Sequence, residues 1–260
     1  MTAQVPLTRW RMGETSDDTD TVAVEEPLEI RIGGEQVAIT MRTPSDDEAL
    51  ACGFLFSEDV LGDRNDLYGI DQPAPNVIDI TLAPGAQLDW EKLRRNVYIS
   101  SSCGVCGKAS AEAVYQACPT LGEATQTNPQ VICALPTKLR EAQSAFDSTG
   151  GVHAAARFTA TGELIALRED VGRHNALDKL IGAAWLAGQV PLTGEVVFLS
   201  GRASFELVQK AAMAGVEILA AVGAPSSLAI ETAERVGLTL IGFVKAERFN
   251  VYTMPGRILV

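Results

Sequence analysis

Residues 195–244 read EVVFLSGRASFELVQKAAMAGVEILAAVGAPSSLAIETAERVGLTLIGFV. Short apolar runs that suit buried strands alternate in this stretch with longer segments that suit amphipathic helices. Such alternation is typical of a parallel sheet covered by helices, so the sequence predicts an α/β fold here. The predicted elements are strands at 195–199, 217–222 and 239–244 and helices at 203–214 and 226–236.

The chain before this stretch indicates a smaller α+β part with mostly local connections. Two predicted strands, 21–31 and 36–42, are separated by Gly33-Gly34, a pair that favours a tight hairpin turn. The sequence Ser-Asp-Asp-Glu at 45–48 matches a capping box and predicts a helix that continues to Phe56. The other predicted elements are strands at 67–70, 77–82, 96–99, 152–158 and 163–168 and helices at 109–118, 130–147 and 175–186.

The length and composition suit a chain of two parts. It has 260 residues, 47% hydrophobic and 21% charged, as expected for one large or two small globular domains. We expect an N-terminal α+β part at 1–98, a mobile CxxC loop at 99–108 and a C-terminal α/β domain at 109–260.

Charge and cysteine content restrict the classes of partner and compartment. The formal net charge of −12 argues against general nucleic-acid binding, which needs a basic face, so an anionic ligand needs a local cationic pocket. Five cysteines is an odd and small number, which argues against a secreted disulfide framework. No secretory leader pattern or membrane-spanning stretch is found. We therefore expect a cytoplasmic protein that does not contact the membrane.

A C-x-x-C motif lies in the sequence SSSCGVCGK at 100–108. Its serines and glycines predict a loop that leads from a strand into a helix. Metal ligation, disulfide exchange and sulfur carriage all use this motif. A cysteine at the start of a helix, with Lys108 nearby, can have a lowered pKa, and the thiolate is the reactive form. The mobile setting suits a sulfur atom that must be presented to two different partners.

The other functions considered for this sequence need further residues or elements that it lacks. A structural zinc site needs a second ligand pair, and zinc nucleobase deaminases need a histidine and glutamate upstream of the cysteines, whereas both histidines here follow them. No G-x-G-x-x-G dinucleotide fingerprint is present, and no βαβ unit of the thioredoxin type precedes the motif. We expect no zinc and no other metal ligand. The remaining cysteines and histidines are isolated in the sequence: Cys52, Cys118, Cys133, His153 and His174.

Three junctions that enter helices carry glycine and polar residues. They are EDVGRHN at 169–175, SGRAS at 200–204 and GAPSS at 223–227. Ligands of open α/β sheets bind outside the carboxyl ends of the strands, where helix N-termini attract anions. Arg173 and Arg202 would stand at such a site, which has the layout of a nucleotide or phosphate pocket. The alternative is that these turns merely need glycines and caps.

The polar residues around the first junction also have two interpretations. His174 is a candidate to hydrogen-bond a ligand, and an ordinary structural histidine is the alternative. The same alternatives hold for His153, which follows Gly150-Gly151. Asp170 and Asn175 would cap the following helix as well as they would contact a ligand.

Eight segments together resemble the FdhD family, the formate dehydrogenase accessory sulfurtransferases. The resemblance runs in family order from about Thr8 to the C-terminus, with Ser45 in place of an expected glycine and Met254 in place of a frequent histidine. The segments are DTVAVEEPLEIRIGG (20–34), MRTPSDDEALACGFLFSE (41–58), SSCGVCGK (101–108), GGVHAAA (150–156), EDVGRHNALDKLIG (169–182), SGRASFELVQKAAMAG (200–215), GAPSSLAIETA (223–233) and NVYT (250–253).

The resemblance implies specific roles for residues of this chain. The family's persulfide-bearing cysteine corresponds to Cys103, while Cys106 could shield, resolve or assist it. The C-terminal half should be similar to the cytidine deaminase fold without its zinc signature. The family's cofactor-contacting stretch corresponds to Phe243, Val244, Lys245, Ala246, Glu247 and Arg248. The sites predicted from the junctions add Arg173, His174, Ser200, Arg202 and Gly223.

The resulting hypothesis is a sulfurtransferase that works as a persulfide relay. It would accept sulfur from a cysteine desulfurase and pass it to the pterin cofactor of formate dehydrogenase. This cofactor is a bis-guanine dinucleotide that holds molybdenum or tungsten; the molybdenum form is molybdenum bis(molybdopterin guanine dinucleotide). The alternative is a chaperone of this cofactor with a redox CxxC and no sulfur transfer. The resemblance also implies a homodimer.

Overall fold

The computed structural model describes residues 2–86, 118–122 and 125–259. The strands are β1 (Thr2–Arg11), β2 (Glu14–Ala23), β3 (Glu26–Ile32), β4 (Glu35–Arg42), β5 (Leu67–Ala74), β6 (Val77–Leu82), β7 (His153–Thr159), β8 (Leu164–Asp170), β9 (Glu195–Leu199), β10 (Ile218–Ala221), β11 (Thr239–Lys245) and β12 (Arg248–Val251). The α-helices are α1 (Asp47–Ser57), α2 (Pro129–Ala142), α3 (Ser144–Thr149), α4 (Arg173–Leu186), α5 (Phe205–Met213) and α6 (Ser227–Val236).

A six-stranded mixed sheet forms the C-terminal part, in the order β12-β11-β10-β9-β7-β8. Strands β9, β10 and β11 are parallel, so the predicted βαβαβ unit is confirmed. Val197 and Leu199 of β9 face a core shared with α4, α5 and α6, while Val196 and Phe198 face the core under α2. Because successive side chains of a strand point to opposite faces, a strand covered on both sides has an uninterrupted apolar sequence.

A four-stranded sheet, β4-β3-β6-β5, forms most of the N-terminal part. The predicted hairpin turn is confirmed, since Gly33 and Gly34 between β3 and β4 have φ values of 58° and 84°, a left-handed geometry that favours glycine. Helix α1 packs between this sheet and α4. One continuous hydrophobic core therefore contains Ile30 of β3, Leu55 of α1 and Leu177 of α4.

Two local predictions differ from the structure. The capping box is wrong: α1 begins at Asp47, and Asp46, in a left-handed conformation, precedes it without a side-chain cap. Ser45, which replaces an expected glycine, has a φ of 148°. The helix predicted at 130–147 is divided into α2 and α3, because the carboxylate of Glu169 accepts hydrogen bonds from the backbone N–H groups of Ala145 and Phe146 at the start of α3.

Other predictions fall on parts of the chain outside the described residues. These are the CxxC loop with Cys103 and Cys106, the strand at 96–99, nearly all of the helix at 109–118 and both predicted boundaries. The division into parts and the cytidine-deaminase-like arrangement stay predictions. Within 2–86, 118–122 and 125–259, no helix is long and apolar enough to cross a membrane.

Candidate functional site at the carboxyl edge of the six-stranded sheet

The loops predicted to bind a ligand lie together along one edge of the six-stranded sheet. Strands β8 and β9 both run antiparallel to β7, and β9, β10 and β11 are parallel, so these four strands end on the same side. We call this side the carboxyl edge. Arg173 begins α4 there, Ser200 and Arg202 lie between β9 and α5, and Gly223 lies between β10 and α6. The structure thus brings these predicted residues to one edge.

Close backbone packing joins the loops of this edge. The N–H of Gly223 donates to the carbonyl of Gly201 at 2.9 Å, and the N–H of Phe243 donates to the carbonyl of Gly223 at 3.1 Å. A Cβ atom at Gly223 would lie 2.9 Å from the Gly201 oxygen and 3.0 Å from Cα of Arg202. Gly223 is therefore required by the close approach of two loops.

Ser200 fixes the first of these loops to the neighbouring strand. Its Oγ accepts a 2.8 Å hydrogen bond from the N–H of Ala154, and its own N–H donates to the carbonyl of Ala154 at 2.9 Å. This pairing continues the ladder between β7 and β9 beyond the last residue of β9. The hydroxyl thereby holds the start of the loop that carries Arg202.

His153 and Arg173 lie against the same glycine, Gly201. A Cβ atom at Gly201 would be 3.3 Å from Nδ1 of His153 and 4.0 Å from Cδ of Arg173. The Nε atom of Arg173 is buried and has no hydrogen-bond partner within the described part of the chain. Burial lowers the pKa of His153, and the positive charge of Arg173 and the neighbouring His174 lower it further, against the opposing effect of Asp170.

His174 is held by two residues of the α5 start. Its Nε2 lies 3.2 Å from Oγ of Ser204 and 3.0 Å from Oε2 of Glu206. The predictions from sequence missed Glu206. The available signal was its position in the first turn of the helix after SGRAS, where an acidic residue is favourable and can face the loop.

Asp170 and Asn175 form a buried network that supports the first junction. Oδ2 of Asp170 lies 2.7 Å from Nζ of Lys179, and both side chains are fully buried. Its Oδ1 accepts hydrogen bonds from the N–H of Gly172 at 2.8 Å and from Nδ2 of Asn175 at 3.1 Å. Thr43, which follows β4, donates its N–H to Oδ2 of Asp170 at 3.0 Å. Helix α4 has no side-chain cap, so the capping interpretation is wrong, and ligand contact by these two residues stays a prediction.

The stretch predicted from the family, 243–248, is divided among several environments. Phe243 is exposed, has a φ of 54° and is hydrogen-bonded to Gly223, so it belongs to the carboxyl edge. The side chain of Val244 is buried in the core below α2. Ala246 and Glu247 line a groove of about 700 Å³ with α2. Lys245 and Arg248 are exposed and lie opposite each other as backbone partners at the β11–β12 turn.

Comparison with known proteins gives the family. The model of the FdhD/NarQ family matches residues 23–259. The chain belongs to this family. FdhD/NarQ relatives named "Sulfur carrier protein FdhD" include those of Streptomyces avermitilis, 51% identical over 99% of this chain and 96% of the relative, Mycobacterium tuberculosis, 46% identical over 92% of each, and Sulfolobus acidocaldarius, 43% identical over 98% of each.

The FdhD/NarQ fold is also seen in a solved structure. The chain is similar to a protein of Desulfotalea psychrophila, assigned as a formate dehydrogenase accessory protein, with a TM-score of 0.80. The match covers 99% of both chains at 24% sequence identity. It therefore supports the whole mixed α/β architecture.

The structure gives information on metal ligation only for its described residues, which do not include the CxxC motif. Among the described residues, no group of three or more histidine, cysteine, aspartate or glutamate side chains is placed to hold a metal ion. Cys52 is buried in the core, where burial raises the pKa of its thiol to about 12, so it is not a thiolate at neutral pH. The absence of zinc at Cys103 and Cys106 stays a prediction.

Proposed function

We propose that this protein is a sulfur carrier with sulfurtransferase activity in the maturation of formate dehydrogenase. In this proposal Cys103 attacks the persulfide of a cysteine desulfurase, takes its terminal sulfur and leaves the desulfurase thiolate. The bond between the two sulfur atoms of the Cys103 persulfide would then break, Cys103 would leave as a thiolate, and the sulfane sulfur would pass to the bis-guanine-dinucleotide pterin cofactor, with molybdenum or tungsten. The two electrons that bring this sulfur to the sulfide level would come from the metal of the acceptor in its reduced state. Family membership over residues 23–259 and the names of the relatives support the carrier role.

The carboxyl edge is the observation that carries the cofactor part of the proposal. A guanine dinucleotide brings a pyrophosphate, which favours arginine side chains and helix N-termini. Arg173 and the exposed Arg202 stand at the starts of α4 and α5, and the buried Nε of Arg173 lacks a partner within the described ranges. Gly223 lets the backbone of Gly201 and Arg202 approach where a Cβ would intrude. These features suit a phosphate ligand within an acidic chain of net charge −12.

Gly223→Ala tests the edge as a nucleotide site. The added Cβ would lie 2.9 Å from the Gly201 oxygen, so the loop that carries Arg202 must shift. We expect affinity for GDP to fall by about tenfold or more, since a displaced positioning contact costs on the order of 1.4 kcal/mol or more. Isothermal titration calorimetry measures this change. Gly69→Ala is the matched control, because a Cβ there meets nothing within 4 Å, and equal affinities for both variants would contradict the assignment.

Cys103→Ala distinguishes a sulfur carrier from a cofactor chaperone. A carrier without its thiolate should lose essentially all capacity to mature formate dehydrogenase, because the nucleophile that takes sulfur from the donor persulfide is gone. A chaperone should tolerate the change. Formate dehydrogenase activity in cells lacking the native gene measures the outcome, with Cys133→Ala as the control because Cys133 is a free thiol on α2. Full maturation by Cys103→Ala would favour the chaperone.

The remaining parts of the proposal follow from the same account. A desulfurase and the formate dehydrogenase apoenzyme would be its protein partners, in the cytoplasm, and the protein would act as a homodimer. Cys106 would assist or protect the persulfide on Cys103. No resident metal is required, since the metal belongs to the acceptor.

A further inference from the structure

The placement of His153 gives the carboxyl edge a titratable group next to its arginine. Both side chains lie next to Gly201: a Cβ added there would be 3.3 Å from Nδ1 of His153 and 4.0 Å from Cδ of Arg173. The imidazole is only half-buried, and it lies at the first residue of β7, directly across from Asp170. A phosphate bound by Arg173 beside Gly201 would therefore lie within reach of the imidazole.

Within the described residues, the charged groups that shift the pKa of His153 lie on two elements. Helix α4 contributes Arg173 and His174, and β8 contributes Asp170. The carboxylate of Asp170 is already paired with Lys179 at 2.7 Å, so it offsets little of the positive charge. Burial, Arg173 and His174 accordingly hold the pKa of His153 below its ordinary value of about 6.5. In the free protein the imidazole is neutral at pH 7.

We propose that binding of a nucleotide pyrophosphate at the carboxyl edge is coupled to protonation of His153, so that the cofactor is held more tightly at lower pH. This inference rests on the proposed function. A pyrophosphate beside the ring neutralises Arg173 and adds negative charge, which favours imidazolium and raises the pKa of His153 in the complex. Between the free and bound pKa values, binding takes up a proton and affinity falls as pH rises.

A suitable probe must not titrate in the same range. The terminal phosphate of GDP has a second ionisation near pH 6, so GDP itself would exchange protons on binding. GDP-mannose carries a pyrophosphate esterified at both ends, like that of a dinucleotide, and avoids this effect. Calorimetry at pH 7 in PIPES and in Tris, which differ in ionisation enthalpy, then gives the number of protons taken up for each ligand bound.

The variants separate the two histidines of the chain. We expect the wild type to take up a fraction of a proton at pH 7 and to bind about three- to tenfold more weakly at pH 8 than at pH 6. His153→Gln should lose both effects, and His174→Gln should still take up a proton on binding, although it removes one of the charges that lower the pKa of His153. Uptake unchanged in His153→Gln, or binding by the wild type without uptake, would overturn the inference and leave the proposed function intact.

A measurement on the wild type covers the case in which His153→Gln does not fold. With only two histidines, the imidazole Cε1 proton signals are assigned by the His174→Gln spectrum. We expect the His153 signal to titrate at higher pH when GDP-mannose is bound, and an unchanged titration would overturn the inference. Failure of the wild type to bind GDP-mannose at all would contradict the nucleotide part of the proposed function and, with it, this inference.

Discussion

Gly182→Ala is expected to destabilise the protein by more than about 3 kcal/mol, at the upper end of overpacking effects. Helices α1 and α4 cross with their backbones in contact at Gly53 and Gly182. A Cβ at Gly182 would lie 1.9 Å from the carbonyl oxygen of Ala49, and one at Gly53 would lie 1.9 Å from that of Asp178. Neither backbone can move without separating the core that joins the N-terminal sheet to α4.

Urea denaturation followed by circular dichroism measures this loss. In an uncrowded helix, replacing glycine by alanine stabilises the fold by about 1 kcal/mol. A loss of stability in Gly182→Ala would therefore show that the close crossing outweighs this gain. Gly256→Ala is the control, since a Cβ there meets nothing within 4 Å. A Gly182→Ala protein as stable as the control would show that α1 and α4 do not cross as described.

Lys179→Met is the second change with a large expected effect. The ammonium of Lys179 donates to the carbonyl oxygen of Thr43 at 2.7 Å and lies 2.7 Å from Oδ2 of Asp170. Both side chains of this ion pair are fully buried. Removing one member of such a pair leaves an uncompensated buried charge and costs about 3–5 kcal/mol. We expect a loss of this size in the free energy of unfolding.

A double variant separates lost charge compensation from lost packing. Asp170→Asn removes the carboxylate charge that Lys179→Met would leave unpaired. The double variant should therefore lose less stability than the sum of the losses of the two single variants. Lys245→Met, an exposed lysine at the end of β11, is the control and should change stability by less than about 0.5 kcal/mol. A loss below about 1 kcal/mol for Lys179→Met would contradict the role given to this pair.

The sequence predicted the C-terminal sheet well for a physical reason. The strand predicted at 195–199 has the bounds of β9, because residues buried on both faces form an apolar run that no exposed segment would have. The β1–β2 hairpin was not predicted, since most of its side chains are exposed and leave no alternating pattern. The Gly53–Gly182 contact joins residues far apart in the chain, and no local pattern indicates it.

The candidate site was predicted in part. Arg173, Arg202 and Gly223 lie on the expected edge because strand and helix order alone fixes where such loops meet. The polar contacts depended on tertiary packing. Glu206 as the partner of His174, and His153 beside Arg173, emerge only once α4, α5 and β7 are assembled. The stretch 243–248 is divided between the carboxyl edge and the α2 groove at an irregularity of β11, where the pairing register shifts between Gly242 and Lys245 and Phe243 has a left-handed φ.

The most direct test of the central claim is the mass of the intact protein after incubation with an active cysteine desulfurase and cysteine, without reductant. The account predicts one added sulfur atom, about 32 Da, that thiol reductant removes, that Cys103→Ala lacks and that Cys133→Ala retains. No added sulfur in the wild type, or equal sulfur on Cys103→Ala, would contradict the persulfide relay.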